Sequence, residues 1–184
     1  VTRCGWAADG SAAMIAYHDT EWGRPSHEDE YLFELLVLEG AQAGLSWSTV
    51  LNKRENYRRA LDGFDYIRIA RYDQAKLDAL REDAGIVRNR LKISSTVKNA
   101  RAFLAVQEEC GTFDAYLWDW VNGTPVVHRR RPGEPLPAST ELSDRVSKDL
   151  KRRGFTFVGT TIIYSYLQAV GVVDDHMRGC LAVK

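Results

Sequence analysis

The chain has no net charge, since its 25 Lys and Arg are matched by 25 Asp and Glu. That argues against a protein that holds nucleic acid by bulk charge alone. No run approaches the ~20 apolar residues of a membrane span. The start, VTRCGWAADG, has no signal-peptide architecture, so no membrane partner or leader is expected. Three cysteines are too few, and odd in number, for a disulfide framework. They point to a reducing compartment such as the cytoplasm, with Cys110 as a spare structural thiol. Internal repeats and low-complexity tails are missing, which removes solenoids and disordered arms. Strand alternation nowhere lasts beyond a few residues, 121–127 being the best candidate.

What is present is helical periodicity over 184 residues, enough for one domain with a sizeable core. Residues 28–44 place Leu32, Leu35, Leu36 and Leu38 at helical spacing. Ser46 can cap a helix over 47–61 that begins with Trp47. Further helices are expected over 73–83, 89–109, 113–121, 143–153 and 159–170. Residues 128–138, HRRRPGEPLPA, hold three prolines and a glycine and read as a loop. The expected fold is all-α. The neutral average hides an asymmetry: residues 1–87 carry 10 basic and 15 acidic side chains, and 88–184 the reverse. A basic half is compatible with a phosphate-binding face.

Two cysteine–histidine pairs stand near opposite ends, Cys4 with His18 and His176 with Cys180. Two thiolates and two imidazoles make a closed tetrahedral zinc set. His176 and Cys180, four apart, would share one face if that segment were helical, whereas Cys4 and His18, fourteen apart, do not have a finger spacing. The alternative is four unrelated residues, because a buried cysteine behaves as a small hydrophobe.

Two local features carry chemistry. In LEGAQAGLSW, residues 38–47, Glu39 interrupts an apolar run. It lies either on an exposed stripe or in a cleft, where burial without a partner would raise its pKa. Trp47 follows eight residues later, and the small residues between leave room for a flat ligand; ordinary core packing is the other fate open to it. In KRRGFTFVGTTIIYSYLQ, residues 151–168, a basic helix end reaches Gly154 and a hairpin, 155–159, follows. Gly159, Thr160 and Thr161 then open a helix whose free N–H groups suit one phosphate. Lys151, Arg152 and Arg153 are expected to add positive charge there. The segment is similar to a helix-hairpin-helix, a backbone clamp indifferent to DNA sequence.

Taken together, RCGW at 3–6, AYHDTEWG at 16–23, LEGAQAGLSWSTVLNKRENYR at 38–58, AGIVRNRLKI at 84–93 and KRRGFTFVGTTIIYSYLQAVGVVDDH at 151–176 resemble the 3-methyladenine DNA glycosylase I family. The resemblance runs from Arg3 to about Cys180. It implies a compact helical fold of the helix-hairpin-helix glycosylase superfamily, a single unit of two helical subdomains with the base pocket between them. It implies one structural zinc on Cys4, His18, His176 and Cys180, Glu39 as the pocket acid, Trp47 as the stacking aromatic, and Tyr17 and Trp6 as further walls. The implied activity is monofunctional excision of N3-methyladenine from double-stranded DNA, by a monomer that releases free 3-methyladenine. Gln42 and Leu45, flanking Gly44, would fill the gap left by a flipped nucleotide. Met14 stands where an aromatic wall is expected. Asp174 and Asp175 follow Gly159 by 15 and 16 residues, and two roles are open to them: the catalytic aspartate that many members of the superfamily carry, or orientation of the neighbouring His176 imidazole. A non-catalytic zinc-stabilised nucleic-acid-binding module would keep the hairpin and the zinc without needing the pocket. A zinc hydrolase would need an open metal position that four protein ligands do not leave.

Overall fold

Apolar residues spaced three and four apart become helices along most of the chain. The computed structural model describes residues 2–183. In chain order the helices are α1 (Gly5–Ala8), α2 (Ala12–Thr20), α3 (Asp29–Ala41), α4 (Trp47–Asn52), α5 (Arg54–Ala60), α6 (Tyr66–Ile69), α7 (Gln74–Glu82), α8 (Arg90–Cys110), α9 (Phe113–Asp119), α10 (Glu141–Arg152) and α11 (Thr160–Ala169). A 3₁₀ turn, Asp62–Phe64, links α5 to α6. Two-residue strands β1 (Val126–Val127) and β2 (Val173–Asp174) pair in parallel, Val126 opposite Val173. Among the described residues no helix is long and apolar enough to cross a membrane.

Helix α3 organises the rest. Every residue from 32 to 41 is buried, and a helix apolar on all sides must be wrapped by others. The fully buried Tyr166 of α11 donates its hydroxyl to the Leu32 carbonyl at 2.8 Å. In the same first turn Asp29 accepts the backbone N–H groups of Phe113 and Asp114, so α3 caps the start of α9. The stacked rings of Phe103 and Phe113 join α8 to α9. Helix α10 turns Val146, Ser147 and Leu150 inward behind a capping box of Thr140 and Ser143. Gly171, at φ +76°, lets the end of α11 meet the N-terminal segment; a Cβ there would lie 2.1 Å from the Arg24 carbonyl carbon. Gly23 N–H to Gln168 O and Ser26 N–H to Val170 O fasten that crossing.

The long apolar patterns are recovered as helices, with local differences. The expected helix over 47–61 is two, because Lys53 (φ −96°, ψ 0°) leaves the helical well between α4 and α5. The helix expected to reach 44 stops at Ala41, and Gly44 takes φ +77° in the turn beyond. The strand expected over 121–127 contracts to its last two residues, since Asn122 and Gly123 turn with positive φ. Segment 155–159 holds no strand pairing; Gly154 (φ +92°) and Phe157 (φ +54°) make it a tight turn.

Candidate functional site

Glu39 sits in the last turn of α3, 4% exposed. The nearby carboxylate Glu34 is buried too, but Arg54 Nε donates to it at 2.8 Å and Arg58 also reaches it. Among the described residues Glu39 has no such cation, and its Oε2 is buried without a hydrogen-bond partner. Burial alone pushes its carboxyl up to about 8. Two more orphaned polar atoms converge on the same place: the hydroxyl of Tyr17 on α2, and the indole N–H of Trp47 at the start of α4. Ser46 sets Trp47 in place by capping α4 through the Thr49 N–H. The Tyr17 and Trp47 rings lie 5.1 Å apart, and Trp6 closes the row at 6.3 Å from Tyr17. Burial raises the Tyr17 phenol well above its ordinary range, so it stays a neutral donor.

These groups line a cleft of about 280 Å³. Its walls bring together the expected Trp6, Tyr17, Glu39 and Trp47, with Gln42 at the edge and Met14 on one side. Sequence reasoning missed Trp22, Leu136, Ser165 and Gln168, which complete the lining. Three of these had a signal. Thr161, Ser165 and Gln168 form a polar stripe at helical spacing on the otherwise apolar α11, and Trp22 follows closely on His18. Leu136 had none, because it arrives on a proline loop whose path no periodicity describes.

Buried polar atoms are almost always paired, and those that are not call for an explanation. Three of them around one cleft mark it as built for a polar, flat ligand. An adjoining groove of about 370 Å³ shares Glu39, Gln42 and Ser165 and continues over Gly44, Leu45 and Thr161. Leu45 is 40% exposed at its rim. Gly159 offers no side-chain cap, so the first amides of α11 stay available to an outside acceptor. The Thr160 hydroxyl is already engaged with Asp144 and Ser143.

The basic residues before the turn do not all serve it. Arg153 pairs with Glu109 at 2.7 Å and Asp149 at 2.8 Å and covers the Tyr116 ring. Arg152 pairs with Asp149. The expected positive contribution of Arg152 and Arg153 is thus neutralised by carboxylates one turn earlier on α10 and at the end of α8.

Cys4, His18, His176 and Cys180 come together, fully buried, with their ligand atoms all within 4.8 Å of one another. A tetrahedral N/S site with ordinary zinc bond lengths needs a sulfur–nitrogen separation of about 3.6 Å. The observed separations are 3.5 Å (Cys180 Sγ to His18 Nε2) and 3.6 Å (Cys4 Sγ and Cys180 Sγ to His176 Nδ1). The far ring nitrogens are fixed as well: His18 Nδ1 meets Asp19 at 2.8 Å, and His176 Nε2 meets the Trp22 carbonyl at 2.8 Å. Burial lowers the His176 pKa, keeping its imidazole neutral, and raises the Cys4 thiol to about 11, so that a thiolate there needs a cation beside it. The donor set therefore fits a metal ion.

Of the two roles open to Asp174 and Asp175, orienting the His176 ring is not supported, since neither bonds it. Asp174 accepts the His176 backbone N–H and pairs with Arg129. Asp175 turns away to His128, Tyr164 and Gln168. The Trp22 carbonyl holds the His176 ring, and Asp19 holds that of His18.

A family model described as methyladenine glycosylase matches residues 6–183. The chain belongs to that family. A DNA-3-methyladenine glycosylase 1 of Escherichia coli (strain K12) is 48% identical, covering 97% of this chain and 95% of that protein. A DNA-3-methyladenine glycosylase of Haemophilus influenzae is 46% identical, covering 97% and 96%. The solved structure of 3-methyladenine DNA glycosylase I from Staphylococcus aureus, described as showing the structural basis of 3-methyladenine recognition, is similar with a TM-score of 0.95 at 32% identity, covering 99% of this chain and 96% of that one.

Proposed function

We propose that the protein is a monofunctional DNA glycosylase of base-excision repair that removes N3-methyladenine from double-stranded DNA. The observation that carries this reading is the convergence of three unpaired buried polar atoms, on Glu39, Tyr17 and Trp47, at one aromatic cleft. A base inside a duplex is out of reach, so the nucleotide rotates out of the stack into the cleft. Methylation at N3 gives the attached adenine a delocalised positive charge. The Trp47 face attracts and stacks on such a cation, and the ionised Glu39 balances its charge and accepts from its exocyclic amino group. Tyr17 and Trp6 supply further walls.

The chemistry is hydrolytic. The C1′–N9 bond breaks, its electron pair goes to the base, and the base leaves neutral as free 3-methyladenine. Water adds to C1′ and gives up a proton. Positive charge moves from base to sugar as the bond breaks, so an anion beside the base favours binding more than departure. Glu39 therefore selects and orients, while the already cationic leaving group lowers the barrier. DNA phosphates on either side stabilise the oxocarbenium-like sugar.

The turn 154–159 with the start of α11 acts as the helix-hairpin-helix clamp, Gly159, Thr160 and Thr161 presenting N–H groups to a phosphate. Cys4, His18, His176 and Cys180 hold one zinc, which joins the first turn to the C-terminal segment and takes no part in hydrolysis. The protein acts as a monomer of two helical subdomains with the cleft between them.

Incubation with methylated duplex DNA is expected to release free 3-methyladenine and leave abasic sites. Tight binding with no release would instead fit a non-catalytic nucleic-acid-binding module. Gln42 and Leu45, at the rim of the groove, fill the space vacated by the flipped nucleotide, offsetting a few kcal/mol of lost stacking. Leu45→Ala is expected to slow excision from duplex about tenfold or more while leaving affinity for free 3-methyladenine unchanged. Equal losses in both assays would make Leu45 a packing residue.

A further inference from the structure

Lys92, in the first turn of α8, has surroundings that neither the base cleft nor the Cys/His cluster uses. Its half-buried ammonium donates to the Ala41 carbonyl at 2.9 Å and the Ala43 carbonyl at 2.5 Å. Among the described residues no carboxylate pairs with it, and burial lowers its pKa. An ammonium partly stripped of water and held only by main-chain carbonyls is costly unless it fixes something. Here it fixes where α3 stops. The last carbonyls of a helix lack intrahelical donors, and a cation placed there is favourable.

Past that point the chain turns through Gln42, Ala43 and Gly44. Gly44 adopts φ +77°, and the Leu45 N–H closes on the Gln42 carbonyl at 2.6 Å. Behind the end of α3 a small, mostly apolar cavity of about 20 Å³ has Gly40, Ala41, Lys92 and Phe157 in its lining. Lys92 reaches past it to the Ala41 and Ala43 carbonyls and so ties α8 to the turn. Its hold comes from α8, 49 and 51 residues further along the chain, and Asn99 of the same helix clasps Thr156 in the hairpin turn. One helix thus positions both the turn that carries Gln42 and Leu45 and the turn that leads into α11.

We infer that Lys92 is a positioning residue for the duplex-probing turn: by bridging the Ala41 and Ala43 carbonyls it sets Gln42 and Leu45 at the height needed to enter the gap left by a flipped nucleotide. This rests on the wedge role proposed above for Leu45. It concerns penetration of the duplex and not recognition of the base.

The test compares Lys92→Met, which keeps the stem and removes the ammonium, with Lys92→Arg, which keeps a cationic donor. Three measurements are made: affinity for free 3-methyladenine by NMR titration, its release from methylated DNA as duplex and after heat denaturation, and fluorescence of 2-aminopurine beside an abasic-site analogue in duplex. Lys92→Met is expected to slow release from duplex about tenfold and to diminish the 2-aminopurine change, with base affinity and release from denatured DNA altered less than about threefold. Lys92→Arg restores most of the loss. In a Leu45→Ala background Lys92→Met adds little, as expected of groups that act as a unit. Equal losses in all three measurements, or no loss on duplex, would overturn the inference. Leu45→Ala alone separates the two ideas. If it leaves duplex release and fluorescence unchanged, the wedge reading fails and takes the Lys92 role with it. If it impairs both while Lys92→Met impairs neither, only the Lys92 role fails.

Discussion

Cys180→Ser is expected to lower the melting temperature by about 10 °C or more, and Cys4→Ser to do the same. The four donors join segments 172 residues apart, Cys4 on one side and His176 on the other, and metal binding at such a site is folding energy. Apparent values reach roughly 10–16 kcal/mol in small zinc domains. A chain of this size has a core of its own, so only part of that is felt. Even about 4 kcal/mol at about 2–4 °C per kcal/mol gives the expected shift. Metal analysis should find about one zinc per chain, and a strong chelator should lower the wild-type melting temperature toward that of the variants. The control against simple misfolding is the chelator itself, which changes no residue. Wild-type protein purified gently without metal, and melting at the same temperature with or without chelator, would remove zinc from the account. Base excision per folded molecule should persist in any variant that still folds, because the cluster lies outside the cleft.

How much of this was legible in the sequence depended on whether the determining contact was local. Helices α3 and α8 were legible because their apolar residues recur at helical spacing, Ile93, Val97, Ala100 and Phe103 in α8. The break at Lys53 was not, since a single residue leaving the helical well has no compositional mark. The short helices α1, α2 and α6 were passed over; two of them span four residues, too few to show a period. In the cleft, Glu39 and Trp47 stood out against their neighbours, and the resemblance supplied Tyr17 and Trp6. Leu136 was invisible because only the folded proline loop carries it across to α2. The role of Asp174 and Asp175 was not legible for a related reason. Adjacency in sequence pointed to Asp174 and Asp175, while the chain direction after β2 turns Asp175 toward α11 and leaves Asp19 and a carbonyl to hold the rings. Likewise the positive charge expected of Arg152 and Arg153 was cancelled by Asp149 and Glu109, one of which comes from another helix.

Glu39→Gln is expected to remove one ionisation, near pH 8, from the pH dependence of both excision and stability. In the folded protein the Glu39 carboxyl titrates at about 8, against 4.5 for an exposed glutamate, because burial penalises the charged form. Between those values the folded state holds a proton that the unfolded state has released. Stability therefore falls as pH rises from about 4.5 to about 8 and levels off above, when the buried carboxylate is charged and unpaired. The glutamine variant carries no such penalty. It should match wild type near pH 4.5 and exceed it above pH 8 by on the order of a few kcal/mol, read from thermal or denaturant unfolding. Excision runs the other way. Only the ionised carboxylate balances a cationic base, so wild-type kcat/KM should climb about tenfold per pH unit up to about 8 and then flatten, reporting the acid of the free enzyme. Glu39→Gln should be slower at high pH and lack the ionisation near 8, and the wild-type-to-variant ratio cancels any pH dependence of DNA binding elsewhere. Trp47→Ala should keep the wild-type pH profile while losing roughly 1–3 kcal/mol of stacking, since it removes the ring and leaves the carboxylate in place. A wild-type profile with no ionisation near 8, or a glutamine variant that keeps that ionisation, would take the acid out of the pocket's chemistry even if the enzyme still excised the base.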